Sequence, residues 1–360
     1  MNEIYRQTWA EINLDNLAYN YNSIKNYLNN KIVIPIIKAN AYGHGDIKVM
    51  ERLYKEGVRI CGVSLLEEAL LLRNIFSDIA IIMLGPALEK DLKICSNNRI
   101  DITIYNEDIY ELVLKCDFNL NCQFKIDSGM SRYGIKDINK AVKMVNLLME
   151  KDNINLRGIY THFATAEDNK EFYNKQIEVM QLVLSKLDKL PSMVHMSNSA
   201  SILQFENDYD FTTHVRLGIS LYGSLPVSFG INLKPVMRLC TKIVQIKKLN
   251  PGDCLGYGIT YCPNKPVYVA TLPIGYADGI WKAYKKGYVE INNKKYKIIA
   301  TICMDVCFVK VDKSIKIGDV VTIFGGLIPV EVVGSTVKTN SYEIFTSVSY
   351  RVPRIYVEEK

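Results

Sequence analysis

Lys38, Lys125 with Asp127, His162, His195 with Ser197, and Arg216 each close a short apolar run that reads as a β-strand. The first of these runs is the most pointed: VIPIIKANAYGHG (33–45) stops abruptly at Lys38 and continues in small and turn-forming residues. A lysine there is either a solvated terminus or an amine held in a dry pocket. Long cationic side chains usually snorkel to water, so the first reading is the default for one residue alone. Three of the chain's four histidines also fall at strand ends, which shifts the balance towards a site. The usual marks of nucleotide binding, zinc hydrolysis and Ser-His-Asp chemistry are missing, since the chain has no Walker loop, GxGxxG, HExxH or GxSxG. What is left is a lysine able to form a Schiff base if desolvation lowers its pKa, together with groups suited to anions.

These residues need a scaffold that brings strand ends together. The runs IVIPIIK, VRICGVSL, IAIIMLG, DITIY, CQFKID, LRGIYTHF, SMVHMS and THVRLG number eight, and segments of helical periodicity such as LEEALLLRNIF and KAVKMVNLLMEK alternate with them. Eight strand–helix units in series predict a (β/α)8 barrel and fit a doubly wound sheet less well; in such a barrel, chemistry gathers at the C-terminal strand ends. After LKPVMRL (233–239) the texture becomes mostly β, with TKIVQIKKL, PVYVATLPI, CFVKV and DVVTIF joined by turn signals. The expected organisation is a barrel over 12–230 and a β domain over 231–360, joined by a strand from the opening segment 1–11.

Composition excludes other classes. A net charge of +6, from 44 basic and 38 acidic residues scattered along the chain, leaves no electrostatic footprint for nucleic acid. No apolar run approaches the roughly 20 residues of a membrane span, and the opening MNEIYRQTWAEINL does not resemble an export signal. The nine cysteines form no CxxC pair and suggest a reduced, cytoplasmic protein. No metal site is expected.

The segment KANAYGHG with Lys38 resembles the pyridoxal-phosphate attachment motif of the alanine racemases, a fold-type III family. KIDSGMSRYGI (125–135), YTHFATA (160–166), HMSNSAS (195–201), VRLGISLYG (215–223), LGYGITY (255–261), LPIGYADG (272–279), ICMD (302–305) and SYRVPRIY (349–356) resemble further family motifs in the family's order. The likeness spans nearly the whole chain. It implies interconversion of L- and D-alanine with pyridoxal 5'-phosphate, supplying D-alanine for peptidoglycan, in a homodimer with composite active sites.

By this resemblance, Lys38 carries the cofactor as a Schiff base and is one of two acid–base catalysts, while Tyr257 of the partner subunit is the other. Tyr42, Asn198, Ser199, Gly218, Ile219 and Tyr350 hold the cofactor, with hydroxyls and backbone N–H groups directed at its phosphate. Arg216 faces the pyridine nitrogen and, being slow to give up a proton, leaves that nitrogen largely unprotonated; this weakens the electron sink and disfavours transamination. A hydrogen-bonded chain from Tyr257 through His162 to Arg216 tunes the tyrosine, with His195 in support. Arg132 contacts the cofactor phenolate and, with the backbone N–H of Met304, receives the substrate carboxylate. Lys125 matches a lysine that many relatives carry as a carbamate, Tyr276 and Tyr350 resemble a narrow entrance, and Asp305 has a supporting place.

The chain departs from the family where relatives often carry Gly in place of Ser131, Arg in place of Thr301, and Gln or Met in place of Val306. These changes put the outer rim and fine substrate preference in question. A pyridoxal-phosphate homeostasis protein would resemble the barrel alone, and a fold-type III decarboxylase would show a glycine-rich phosphate loop and a catalytic-cysteine context that this chain lacks. A serine or broad-specificity racemase is the alternative within the family.

Overall fold

The computed structural model describes residues 5–28, 30–205, 209–226 and 230–358. Residues 1–4 of the opening segment lie outside the described residues. The chain first lays down β1 (Thr8–Asn13), and then builds a barrel from β2 (Ile32–Pro35), β3 (Ile60–Val63), β4 (Ala80–Met83), β5 (Ile100–Ile104), β6 (Leu120–Lys125), β7 (Ile154–Tyr160), β8 (Met193–His195) and β9 (His214–Leu217). All pairings in this eight-stranded sheet are parallel, in the order β2-β9-β8-β7-β6-β5-β4-β3. The sheet closes where Ile36 bridges to Gly62 and the Ile37 N–H donates to the Gly62 carbonyl at 2.8 Å. The (β/α)8 architecture expected from the eight runs is therefore the one observed.

The burial pattern explains why the barrel strands read as continuous runs. β5 (IDITI) and β9 (HVRL) are buried at every position, because parallel strands are covered on both faces. The helices between them bury one stripe each: Ile138–Met149 turns Ala141, Met144, Val145 and Leu148 inward, at helical spacing.

The C-terminal strands are β10 (Met237–Lys242), β11 (Gln245–Leu249), β12 (Val267–Leu272), β13 (Tyr288–Ile291), β14 (Lys294–Ile299), β15 (Cys307–Val311), β16 (Val320–Phe324) and β17 (Arg354–Val357). They form a nine-stranded sheet with β1, which lies antiparallel to β10 and parallel to β17. Alternate residues of β1 are buried, as expected of a strand with one face on a core.

Within this mostly β region, two helices break the pattern. Val330–Val337 starts after Pro329, and Ser341–Ser347 starts where the Asn340 side chain accepts from the Glu343 N–H at 3.2 Å. The β-branched VEVV and VGSTV stretches gave no helical signal of their own, and packing has overridden their propensity. The second helix matters for the site because Phe345 and Tyr342 lie against the turn after β2: Phe345 meets His44 at a ring-centroid distance of 4.9 Å, and Tyr342 meets Tyr42 at 5.9 Å.

Candidate active site

Lys38 stands just past the C-terminal end of β2, at the start of a turn in which Ala39, Asn40, Ala41 and Tyr42 all have left-handed φ between 52° and 54°. Each such residue costs about 1–2 kcal/mol for an L-amino acid, so this turn is held from outside. The Ala39 N–H donates to Glu68 Oε1 at 2.6 Å, the Ala41 N–H to the Ile37 carbonyl at 2.8 Å, and the Gly43 N–H to the Ala39 carbonyl at 3.0 Å. A side chain at Gly43 would place its Cβ 2.5 Å from the Phe345 carbonyl oxygen, so the C-terminal helix can approach only a glycine here. Burial lowers the Lys38 amine pKa, and the nearby Arg132 and Arg216 charges lower it further against the opposing pull of Glu68.

Arg216, on β9, is buried and lines the same cavity as Lys38. Its Nη1 donates to His195 Nδ1 at 2.5 Å and to the His195 carbonyl at 3.2 Å. Its Nη2 donates to the carbonyls of Thr161 and Met196, both at 2.7 Å, and to His162 Nδ1 at 3.0 Å. Because Arg216 is always a donor, both imidazoles must accept at Nδ1 and carry their proton on Nε2. Burial and the Arg216 charge depress both histidine pKa values well below the ordinary one, so the rings are neutral. The His195 Nε2 is 3.3 Å from Gln123 Oε1, and Gln123 Nε2 donates to Asp101 at 2.8 Å; Asp101 is in turn paired with Arg157 at 2.9 Å. The barrel interior thus carries a continuous polar line from Asp101 to His162 that fixes the guanidinium.

Lys125 ends β6 with its amine 5.4 Å from the ring centroids of both Tyr133 and Tyr160. Burial, then Arg132 and Arg216, push its pKa down to about 7. Arg132 lies on the loop after β6, where Asp127 Oδ1 accepts from the N–H groups of Gly129 and Ser131 at 3.0 and 2.9 Å. Ser131 has φ 57°, a conformation that a glycine adopts without cost.

The remaining barrel residues form a small cradle. The Ser199 Oγ accepts from the N–H groups of Gly218 and Ser220 at 3.1 and 3.2 Å. A Cβ at Gly218 would stand 3.0 Å from the Tyr42 hydroxyl and 3.6 Å from the Ser199 Oγ. Two hydroxyls thus meet a side-chain-free stretch of backbone at one end of a cavity of about 440 Å³. That cavity is lined by Lys38, Tyr42, Lys125, Arg132, His162, Asn198, Ser199, Arg216 and Gly218, so nine of the sequence-derived site residues share one space. The neighbouring Ile219 is fully buried.

Five expected site residues lie away from this cavity. Tyr257, Tyr276, Met304 and Asp305 line a separate cleft on the C-terminal domain. The Tyr276 and Ala277 N–H groups donate to the Cys303 and Met304 carbonyls, each at 3.0 Å, and Asp305 pairs with Arg351 at 2.7 Å. Tyr257 is 76% exposed and Met304 52%. Tyr350 is 95% exposed and does not line the Lys38 cavity, where Tyr342 stands instead.

Residues 12–226 match the family model described as alanine racemase, N-terminal domain, and 236–356 match that described as alanine racemase, C-terminal domain. The chain belongs to the alanine racemase family. It is 34% identical over 375 residues to an alanine racemase of Geobacillus stearothermophilus, covering 100% of this chain and 96% of that one. A solved alanine racemase of Clostridium difficile 630 superposes with a TM-score of 0.93 at 35% identity, covering 99% of this chain and 97% of the other. A histidine racemase of Leuconostoc mesenteroides subsp. sake, at 24% identity and a TM-score of 0.90, shares the fold. The protein is an amino-acid racemase, an isomerase.

Several residues in or around the Lys38 cavity are not legible in the sequence. Glu68 lies on a helix that read only as an apolar stripe, yet it accepts from three N–H groups, of Ala39, Ser64 and Leu65. Its place three residues after Leu65 is the one signal that could have found it, since an acidic residue there caps a helix start. Tyr160, the last residue of β7, reaches the cavity at a strand end, and Tyr342 is brought there by the helix Ser341–Ser347. One expectation is corrected: the scattered cysteines suggest a reduced chain, but Cys254 and Cys262 are joined in a disulfide, because a tight loop brings residues eight apart to a Cα distance of 4.4 Å. Among the described residues no helix is long and apolar enough to cross a membrane.

Proposed function

We propose that this racemase interconverts L- and D-alanine in the cytoplasm with pyridoxal 5'-phosphate held on Lys38, supplying D-alanine for peptidoglycan, and that two subunits complete each site. The observation that carries this reading is the convergence on one cavity of the Lys38 amine, the Arg216–His162 pair and the cradle of Tyr42, Ser199 and Gly218. The cradle suits a phosphate in donor type, with two hydroxyls and the backbone around Gly218 beside Asn198, and the lowered Lys38 pKa suits an amine that must attack a carbonyl. When bound, the cofactor withdraws electrons from the substrate's α-carbon and lowers the cost of removing its proton.

The residues of the chain do the rest. Lys38 takes or returns a proton on one face of the α-carbon, and Tyr257 of the partner subunit does so on the other, since a single base tends to return the proton to the side it left. Arg216 keeps its own proton and, being fixed by five hydrogen bonds, would leave a neighbouring ring nitrogen unprotonated. His162 is a neutral ring whose Nε2–H remains a donor once Nδ1 has accepted from Arg216, which suits a link between Arg216 and a tyrosine base. Arg132 and the Met304 N–H would hold the carboxylate, and Tyr276 and Tyr350 would narrow the entrance. The composite site is supported by the apolar and aromatic groups around Tyr257: Ile259 is 67% exposed, and with Tyr257 and Met304 it makes a surface that a two-fold partner would cover.

The test mixes inactive Lys38→Ala with inactive Tyr257→Phe protein and follows D-alanine formation from L-alanine. With random exchange and equal amounts, half the dimers are hybrids with one intact site, so roughly a quarter of wild-type activity returns. If verified exchange restores nothing, the two residues serve one chain and the composite site is refuted.

A further inference from the structure

The Cys254–Cys262 disulfide encloses the loop that carries Tyr257. The two ends of this loop also pack inward, Leu255 and Tyr261 lying against the cluster of Val267, Val269 and Ile299. Leu255 and Tyr261 make an isolated bridge, in which the Leu255 N–H donates to the Tyr261 carbonyl at 2.9 Å, and the Thr260 hydroxyl lies 3.1 Å from that of Thr301. Between them the backbone turns through Gly256, Gly258 and Ile259, with φ of 76°, 72° and 50°. Glycines have many conformations open to them, so a turn with two of them needs an outside constraint to present one side chain in one place. The disulfide adds a covalent constraint to these contacts, joining the two ends of the turn just outside the Leu255–Tyr261 bridge.

The chain's cysteines divide sharply by accessibility. Cys254 and Cys262 are both exposed, whereas Cys61, Cys95, Cys122, Cys240 and Cys307 are buried and Cys116 and Cys303 are partly covered. Burial pushes the Cys61, Cys95 and Cys307 thiols up to about 12 and the Cys240 thiol up to about 11, which makes these poor partners in exchange. The two exposed cysteines are therefore the pair beside Tyr257. Disulfides in a reducing compartment are usually transient and redox-sensing, and this pair is exposed on the single chain.

We propose that Cys254 and Cys262 are positioning residues that act as a thiol–disulfide switch, holding Tyr257 in register with the partner's cavity when joined and releasing it when reduced. This rests on reading Tyr257 as the second base. A dithiol reductant supplies the electrons: one of its thiolates attacks a sulfur of the pair, the other cysteine leaves as a thiolate and takes a proton, and the reductant's second thiol resolves the mixed disulfide. The products are two cysteine thiols and the oxidised reductant. Excess glutathione disulfide runs the exchange in reverse.

Holoenzyme treated with glutathione disulfide and desalted should show seven titratable thiols in denaturant, and nine after dithiothreitol. On reduction, kcat should fall roughly tenfold, as expected for a reacting group displaced by a fraction of an ångström, while KM and cofactor retention hold. The α-deuterium isotope effect should rise for the enantiomer whose proton Tyr257 removes and not for the other, an asymmetry that a general loss of stability would not produce. A Cys254→Ser, Cys262→Ser double variant should sit at the reduced rate and ignore dithiothreitol. Nine thiols after oxidation, equal kcat in both states, or a double variant that still responds would each overturn the switch. Tyr257→Phe separates the two readings: if it stays active the second-base assignment fails, whereas an inactive Tyr257→Phe beside a redox-indifferent wild type defeats the switch alone.

Discussion

His44 converts the geometry behind the Lys38 turn into a dependence of stability on pH. Its ring is fully buried between Tyr222, at a centroid distance of 4.5 Å, and Phe345, at 4.9 Å. Nδ1 lies 3.0 Å from the Ala41 carbonyl and 3.1 Å from that of Tyr42, so it carries the proton and ties down the left-handed turn, while the buried Nε2 has no hydrogen-bond partner. Protonating Nε2 would put a charge there with nothing to receive it, and burial accordingly lowers the pKa from 6.5 to about 3, against the two carbonyls that raise it. The unfolded chain binds this proton below pH 6.5 and the folded chain does not until about pH 3, so stability is lost as pH falls between those values. At one proton per chain the slope is about 1.4 kcal/mol per pH unit, which amounts to about 3 kcal/mol between pH 8 and pH 4. His44→Asn keeps an N–H donor near the Nδ1 position and removes the titration. Urea unfolding of both holoproteins at fixed protein and cofactor concentration, at pH 8, 6, 5 and 4, should show a constant packing cost in the variant that is offset by about 3 kcal/mol by pH 4. Other titrating groups cancel in the difference when they are independent of His44. A gap between the two proteins that stays the same from pH 8 to pH 4 would refute the argument.

Two further outcomes test the cavity. Gly218→Ala places a methyl 3.0 Å from the Tyr42 hydroxyl and inside the cradle, so pyridoxal phosphate measured by equilibrium dialysis should be held roughly tenfold more weakly, as an overpacking penalty of about 1.4 kcal/mol implies; Gly230→Ala, with nothing within 4 Å of its Cβ, is the control, and equal retention by both variants would sink the cradle. Lys125, with its pKa lowered to about 7, has a neutral amine at pH 8 and should take up 13C-bicarbonate as a carbamate seen by NMR, absent from Lys125→Met; uptake only as pH nears 10 would show that burial does not depress this amine.

The sequence carried the barrel in its strand runs, because parallel strands covered on both faces must be apolar throughout, and β5 and β9 are buried at every position. It also carried the barrel half of the candidate site, since Lys38, Lys125, His162 and Arg216 stand at or near strand ends and a closed barrel makes those ends converge on one cavity. Tertiary structure decided what spacing does not encode. Glu68 reaches the Ala39 N–H from 29 residues away, and Phe345 and Tyr342 are brought against the Lys38 turn by a helix whose β-branched predecessor, VEVVGSTV, reads locally as strand. The proton positions on His162 and His195 follow from Arg216 donating to both, which only the closed barrel arranges. Cys254 and Cys262 read as unrelated thiols until the turn through Gly256 and Gly258 brings them together, because pairing depends on backbone direction in space, which the spacing of two residues along a chain does not specify.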